Sequence, residues 1–91
     1  MKIRHRRESE ILKALGHPVR LQIVEIIIGL RKDECNVTEI QKRLSIPQST
    51  ISQHLQILKN KGIIGGHKKG VKVCYMLIDK YAKEIMATLN K

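Results

Sequence analysis

The sequence predicts a small α+β domain that is helical over its first two thirds and closes with a β-hairpin and one further helix. Three observations predict it. Apolar residues recur at helical spacing through most of residues 9–61, alternate with polar ones around residues 71–76, and return to helical spacing after Asp79. A chain of 91 residues with 42% hydrophobic content is enough for one folded domain and too apolar for wholesale disorder. The aromatic residues are two tyrosines, so the core must be built from Ile, Leu and Val.

The elements follow in order. Residues 1–8 read as a basic arm, with Lys2, Arg4, His5, Arg6 and Arg7. Ser9 is a capping residue, and Ile11 to Leu15 give a first short helix ending near Gly16. Pro18 suits the first turn of a second helix, about Val19 to Ile28. Leu21, Val24, Ile27 and Ile28 recur at helical spacing, and Ile23 and Ile26 make this helix apolar almost all round, so little of it should be exposed. Gly29 stops it, and Arg31 to Glu34 form a charged loop. Asn36 and Glu39 have capping-box spacing for a third helix, with Val37, Ile40 and Leu44 as its buried stripe. Ser45, Ile46 and Pro47 make a tight turn, with Pro47 opening a fourth helix, so residues 36–61 read as a helix-turn-helix. Gly62 ends it. Residues 62–77 read as a hairpin, in which Ile63 to His67 pair with a strand where Val71, Val73 and Tyr75 alternate with Lys72, Cys74 and Met76. Lys68, Lys69 and Gly70 form its tip, Gly70 tolerating a positive φ. Such a hairpin directly after a helix-turn-helix is a wing. A last helix, residues 79–90, carries Tyr81, Ile85, Met86 and Leu89 along one side. On so small a domain that side needs something to bury against, and a second copy of the chain is the simplest partner.

The fourth helix has two unlike faces. Ile51, Leu55 and Leu58 share a buried face. Ser49, Ser52, Gln53 and Gln56 share another, polar but uncharged, whose side chains both donate and accept hydrogen bonds. A solvated face is normally rich in Lys and Glu, whereas Ser, Thr and Gln suit the base edges of a DNA major groove. Gln48, Ser49, Thr50, Ser52 and Gln53 are therefore the candidate base and phosphate contacts, with backbone N–H groups at the helix start open to a phosphate. Helix capping accounts for one such residue, not five. His54 has two open readings, a phosphate contact or a hydrogen bond within the fold. In the wing, Lys68, Lys69 and Lys72 are candidate phosphate contacts.

A net charge of +10 favours a polyanionic partner, nucleic acid first. Two tyrosines are a poor platform for stacking single-stranded bases. No stretch is long and apolar enough to span a bilayer, and the basic N-terminus has no apolar signal core, so a cytoplasmic location is expected. No phosphate loop, catalytic constellation or cofactor motif is visible, and an enzyme is not expected.

The order α-α-α-α-β-β-α, with LKALGHPVRLQIV near the start and IPQSTISQHLQILKNKGII in the middle, resembles the ArsR/SmtB family of winged helix-turn-helix repressors over about Glu10 to Leu89. Ala14-Leu15, Pro18 to Leu21, Gln48-Ser49-Thr50, Ser52, His54-Leu55 and Gly62 carry the match. The resemblance implies a homodimer through the first and last helices, bound to a palindromic double-stranded operator that it represses. It also locates departures. Where metal-sensing members place two cysteines at the third helix, this chain has Asn36 and Thr38, with Cys35 one residue out of register. The last helix begins Asp79-Lys80-Tyr81, without the histidine of the family's other metal site. Neither family metal site is expected, and the chain looks most like the metal-independent, PagR-type subgroup.

In winged helices a short strand before the third helix pairs with the second wing strand. That would set Cys35 opposite Cys74, close enough for a disulfide and a redox switch acting on the wing. The other reading, two small buried thiols, stays open. Two rival functions also remain, a protein-interaction module using a winged fold without DNA and a winged helix that binds structured RNA.

Overall fold

Five helices and a two-stranded antiparallel sheet follow one another in the computed structural model, which describes residues 2–90: α1 (Arg6–Leu15), α2 (Pro18–Gly29), α3 (Val37–Leu44), α4 (Gln48–Asn60), β1 (Ile64–Lys69), β2 (Lys72–Leu77) and α5 (Lys80–Leu89). The expected order is observed.

α2 lies in the middle, packed on α1, α3, α4 and β2. Ile23, Val24 and Ile27 are buried, and they join Ile11, Leu15, Ile40, Ile51, Leu55, Leu58, Ile63, Ile64 and Met86 in one aliphatic core. α2 is less enclosed than its sequence predicts, because Ile28 on its last turn remains 48% exposed. α1 and α5 pack on each other at the edge of the domain. Leu12 on α1 and Leu89 on α5 stay 54% and 58% exposed, so Leu89 is not part of the buried side expected for the last helix; Ala82 and Met86 are. No described helix is long and apolar enough to cross a membrane.

Local chemistry sets most boundaries. The Asn36 side chain accepts the Glu39 backbone N–H at 3.2 Å and caps α3. The box is only half closed, since the Glu39 carboxylate turns to Lys42 and Arg43 instead. The chain leaves α3 through Ser45 at φ 56, a left-handed residue that makes the turn sharp. Pro47 then occupies the N-cap of α4 rather than its first helical position. At the other end of α4, Gly62 N–H bonds Lys59 O and Ile63 N–H bonds Leu58 O, with Gly62 at φ 70. This Schellman closure folds Ile63 back against Leu58 and aims the chain into β1. The Asp79 carboxylate caps α5 through Ala82 N–H at 2.9 Å.

Two expectations are corrected. The basic arm was expected to reach residue 8, with a helix from Ser9, yet α1 begins at Arg6. The Arg7 guanidinium donates to Lys61 O at 2.6 Å and to Asp79 Oδ1 at 3.0 Å, which pins this turn to the ends of α4 and α5. Ser9 donates back to Arg6 O rather than capping. In the hairpin, the register Ile64↔Leu77 sets Lys69 opposite Lys72. Lys68 and Lys69 thus belong to β1, and the tip is Gly70-Val71, with Gly70 at φ 64. Val71 is a solvent-exposed turn residue, not part of the strand alternation.

Candidate nucleic-acid interface

α3, its turn and α4 form the helix-turn-helix, with α4 held by Ile51, Leu55 and Leu58. The opposite side of α4 starts with Gln48, Ser49, Ser52 and Gln53, all exposed, and Thr50, half-buried. Among the described residues none of these side chains caps the helix or hydrogen-bonds elsewhere. The N-cap residue is a proline, which has no side-chain acceptor. Pro47 O takes the N–H groups of Thr50 and Ile51, leaving those of Gln48 and Ser49 pointing out of the helix start. Capping therefore explains none of the five polar residues. They form a surface with unused donors and acceptors, over the positive end of a helix dipole. Gln56, a turn further along, is engaged: its amide donates to Asn60 Oδ1 at 2.8 Å. α3 differs, since its Lys42 and Arg43 are neutralised by Glu39 and Glu34.

His54 lies at the inner edge of this face and is half-buried. Its Nδ1 is 3.3 Å from an Arg20 guanidinium nitrogen, and its ring stands 4.7 Å from that of His17. Burial lowers its pKa below the usual 6.5, and His17 and Arg20 lower it further. With Arg20 donating to Nδ1, the neutral ring carries its proton on Nε2. The hydrogen bond within the fold is the reading the structure supports, and it leaves one N–H that can still donate. Arg20 also donates to Ala14 O at 2.5 Å, so one guanidinium braces the end of α1, the start of α2 and α4. Nothing in the spacing pointed to this brace, because an arginine on an apolar helix reads as a solvated charge.

The wing follows α4 directly and β1 packs against it. Lys68, Lys69 and Lys72 are exposed. Lys69 Nζ donates to Lys32 O at 3.0 Å, which draws it toward the loop before α3. Of the arm, Lys2, Arg4 and His5 are exposed, but Arg7 is committed to the fold.

That loop and the wing are joined twice more. Tyr75 N–H donates to Cys35 O at 2.7 Å, and Cys35 and Cys74 form a disulfide with Cα atoms 4.7 Å apart. The two residues do lie opposite each other, although a single backbone hydrogen bond replaces the expected short strand. Cys74 is buried, on the side of β2 where alternation had placed it with exposed Lys72 and Met76, because the loop covers it. Cys35 Sγ is also 3.1 Å from Lys32 O, a contact that becomes a hydrogen bond only when Cys35 is a thiol. Among the described residues no three His, Cys, Asp or Glu side chains come together as a metal site.

Comparison with known proteins agrees with this architecture. The family "Bacterial regulatory protein, arsR family" matches residues 17–65. The HTH-type transcriptional repressor SmtB of Mycobacterium tuberculosis is 40% identical over 86% of this chain, which spans only 56% of that protein's length. The transcriptional repressor PagR of Bacillus anthracis is 34% identical over 91% of this chain and 81% of its own. The solved structure of HlyU from Vibrio cholerae superposes with a TM-score of 0.88 at 30% identity, covering 99% of this chain and 95% of that one. With the family match extending over more than half of its residues and these relatives over most of it, the chain belongs to the arsR family of bacterial regulatory proteins.

Proposed function

We propose that this chain is a sequence-specific DNA-binding transcriptional regulator, a repressor acting as a homodimer on a palindromic operator, with the Cys35–Cys74 pair adjusting its grip. One observation carries the reading: the uncharged polar residues at the start of α4, exposed at Gln48, Ser49, Ser52 and Gln53 and half-buried at Thr50, are unbonded and not used as caps. In this reading Gln48, Ser49, Thr50, Ser52 and Gln53 meet bases and phosphates in the major groove. His54 donates through Nε2 at its edge, and Lys68, Lys69 and Lys72 hold the flanking backbone. Related proteins are named both repressor and activator, and the repressor sense follows SmtB and PagR. The exposed Leu12 and Leu89 on the paired helices α1 and α5 support dimerisation there. Two copies would then present their α4 helices about one helical turn of DNA apart, roughly 34 Å.

The disulfide supports the redox part. It ties the wing to the loop before α3, so opening it removes their covalent link and leaves the Tyr75–Cys35 and Lys69–Lys32 hydrogen bonds to hold the strand. Two thiols forming the bond give up two protons and two electrons to a small disulfide, which leaves as two thiols.

The test is binding to the DNA upstream of the chain's own gene and to an unrelated duplex, at fixed salt. Gln53→Ala should weaken the first by about tenfold, one lost base contact, and leave the second nearly unchanged. Equal losses on both DNAs would remove base readout by α4. The same titration with thiol-reduced and glutathione-disulfide-oxidised protein should differ, and Cys74→Ser should abolish the difference. Identical affinities would reduce the cysteines to packing residues.

A further inference from the structure

We infer that the cavity between α2, β2 and α5 binds a small amphipathic carboxylate, a hydrocarbon body with one anionic head. The cavity measures about 690 Å³, within the roughly 300–1,000 Å³ of ordinary ligand sites. Its wall is apolar, with Ile28, Leu30, Leu77 and Ala87, and the Cys35–Cys74 bond closes one side. Ile28 and Met76 at this place are 48% and 41% exposed, apolar surface that water covers at a cost. Its polar groups are mostly of one sign: Arg31, Lys32 and Lys83 contribute to the lining, no carboxylate does, and no described acid pairs with any of the three. Among the described lysines and arginines only Arg7, Lys42, Arg43 and Lys61 pair with an acid, so what marks Arg31, Lys32 and Lys83 is their place around one apolar wall. An apolar pocket edged by three unpaired cations complements a hydrocarbon chain ending in a carboxylate, which Arg31 can take in a two-pronged hydrogen bond.

A second copy of the chain is the less fitting occupant. Lys83 and Ala87 face the cavity from one side of α5, with Asn90 at its C-cap beside them. Leu89 lies roughly 120° around that helix at about 100° per residue, so the apolar surface that α5 itself leaves for a partner is on another side. A ligand in the cavity would lie against β2 of the wing. An effect on DNA affinity through that contact rests on the function proposed above, whereas the binding test uses the protein alone.

That test is a calorimetric titration of the whole chain with sodium octanoate, and with 1-octanol as the neutral chain of equal length. The expected result is saturable binding of one octanoate per chain, at least tenfold tighter than octanol. Arg31→Gln, on an exposed loop, should weaken octanoate about tenfold and leave octanol unchanged. Ala87→Trp, which fills the cavity from an exposed position, should abolish both while the oligomeric state in sedimentation stays as in the parent. Absence of saturable binding, equal affinity for the alcohol, or indifference to Arg31→Gln overturns the proposal. So does dissociation of an oligomer by Ala87→Trp, which would make the cavity a subunit contact. If the tryptophan variant fails to fold, the arginine variant and the alcohol comparison decide alone.

Discussion

Reducing the Cys35–Cys74 bond should lower the stability of the domain by about 3 kcal/mol. The bond joins residues 39 apart in sequence. Restricting the unfolded chain by a loop of that length is worth about 4 kcal/mol, between the values for short and long loops. Part of this is recovered on reduction, because the freed Cys35 thiol stands 3.1 Å from Lys32 O and can donate to it. One net hydrogen bond returns about 1 kcal/mol. For a domain of this size, 3 kcal/mol corresponds to a fall in Tm on the order of 15 °C and to a urea midpoint lower by about 1–3 M. The assay is urea unfolding followed by circular dichroism, at one protein concentration, with the thiols of each sample counted. The slope with urea should steepen on reduction, because the unfolded chain opens further without the cross-link. Coincident curves for samples of verified redox state would refute the reasoning, since the bond would then constrain the native and unfolded states alike.

Other outcomes follow from single residues. Leu58→Ala removes a side chain with 0% exposure from the inner face of α4 and should cost about 2–5 kcal/mol in the same urea assay; a change below about 0.5 kcal/mol would mean that α4 is not held by this face. His54 has a folded pKa below the ordinary 6.5, so its contribution to stability is complete above 6.5 and is lost as pH falls through the lower folded value. Unfolding between pH 7.5 and 5 should accordingly lose less stability in His54→Gln than in the parent chain, and parallel profiles would separate His54 from the Arg20 brace. Lys69→Ala should flatten the salt dependence of DNA binding by about one phosphate contact on any duplex; an unchanged slope takes Lys69 out of the contact set and leaves it to Lys32 O.

Elements defined by local chemistry were legible in the sequence. The α3 cap at Asn36, the stop at Gly62, the cap at Asp79 and the switch from helical to alternating periodicity each depend on neighbours within a few residues. The polar face of α4 was legible for the same reason, since one helix period fixes which residues share a side. The readings that missed depend on distant partners. α1 starts at Arg6 because Arg7 reaches Lys61 and Asp79, more than fifty residues away. The hairpin tip lies at Gly70-Val71 rather than Lys68 to Gly70 because pairing of Ile64 with Leu77 sets the register, which alternation alone leaves free.

By itself, then, the sequence determined the order of elements, the family pattern and which polar residues share one side of α4, because these follow from spacing along one chain. Only the tertiary structure decided what meets across it. It tied Cys35 to Cys74, turned His54 to Arg20 rather than outward, drew Lys69 to Lys32, and left an apolar cavity edged by Arg31, Lys32 and Lys83. Such contacts join residues far apart in sequence, and their geometry exists only once the core has fixed how α2, β2 and α5 lie against one another.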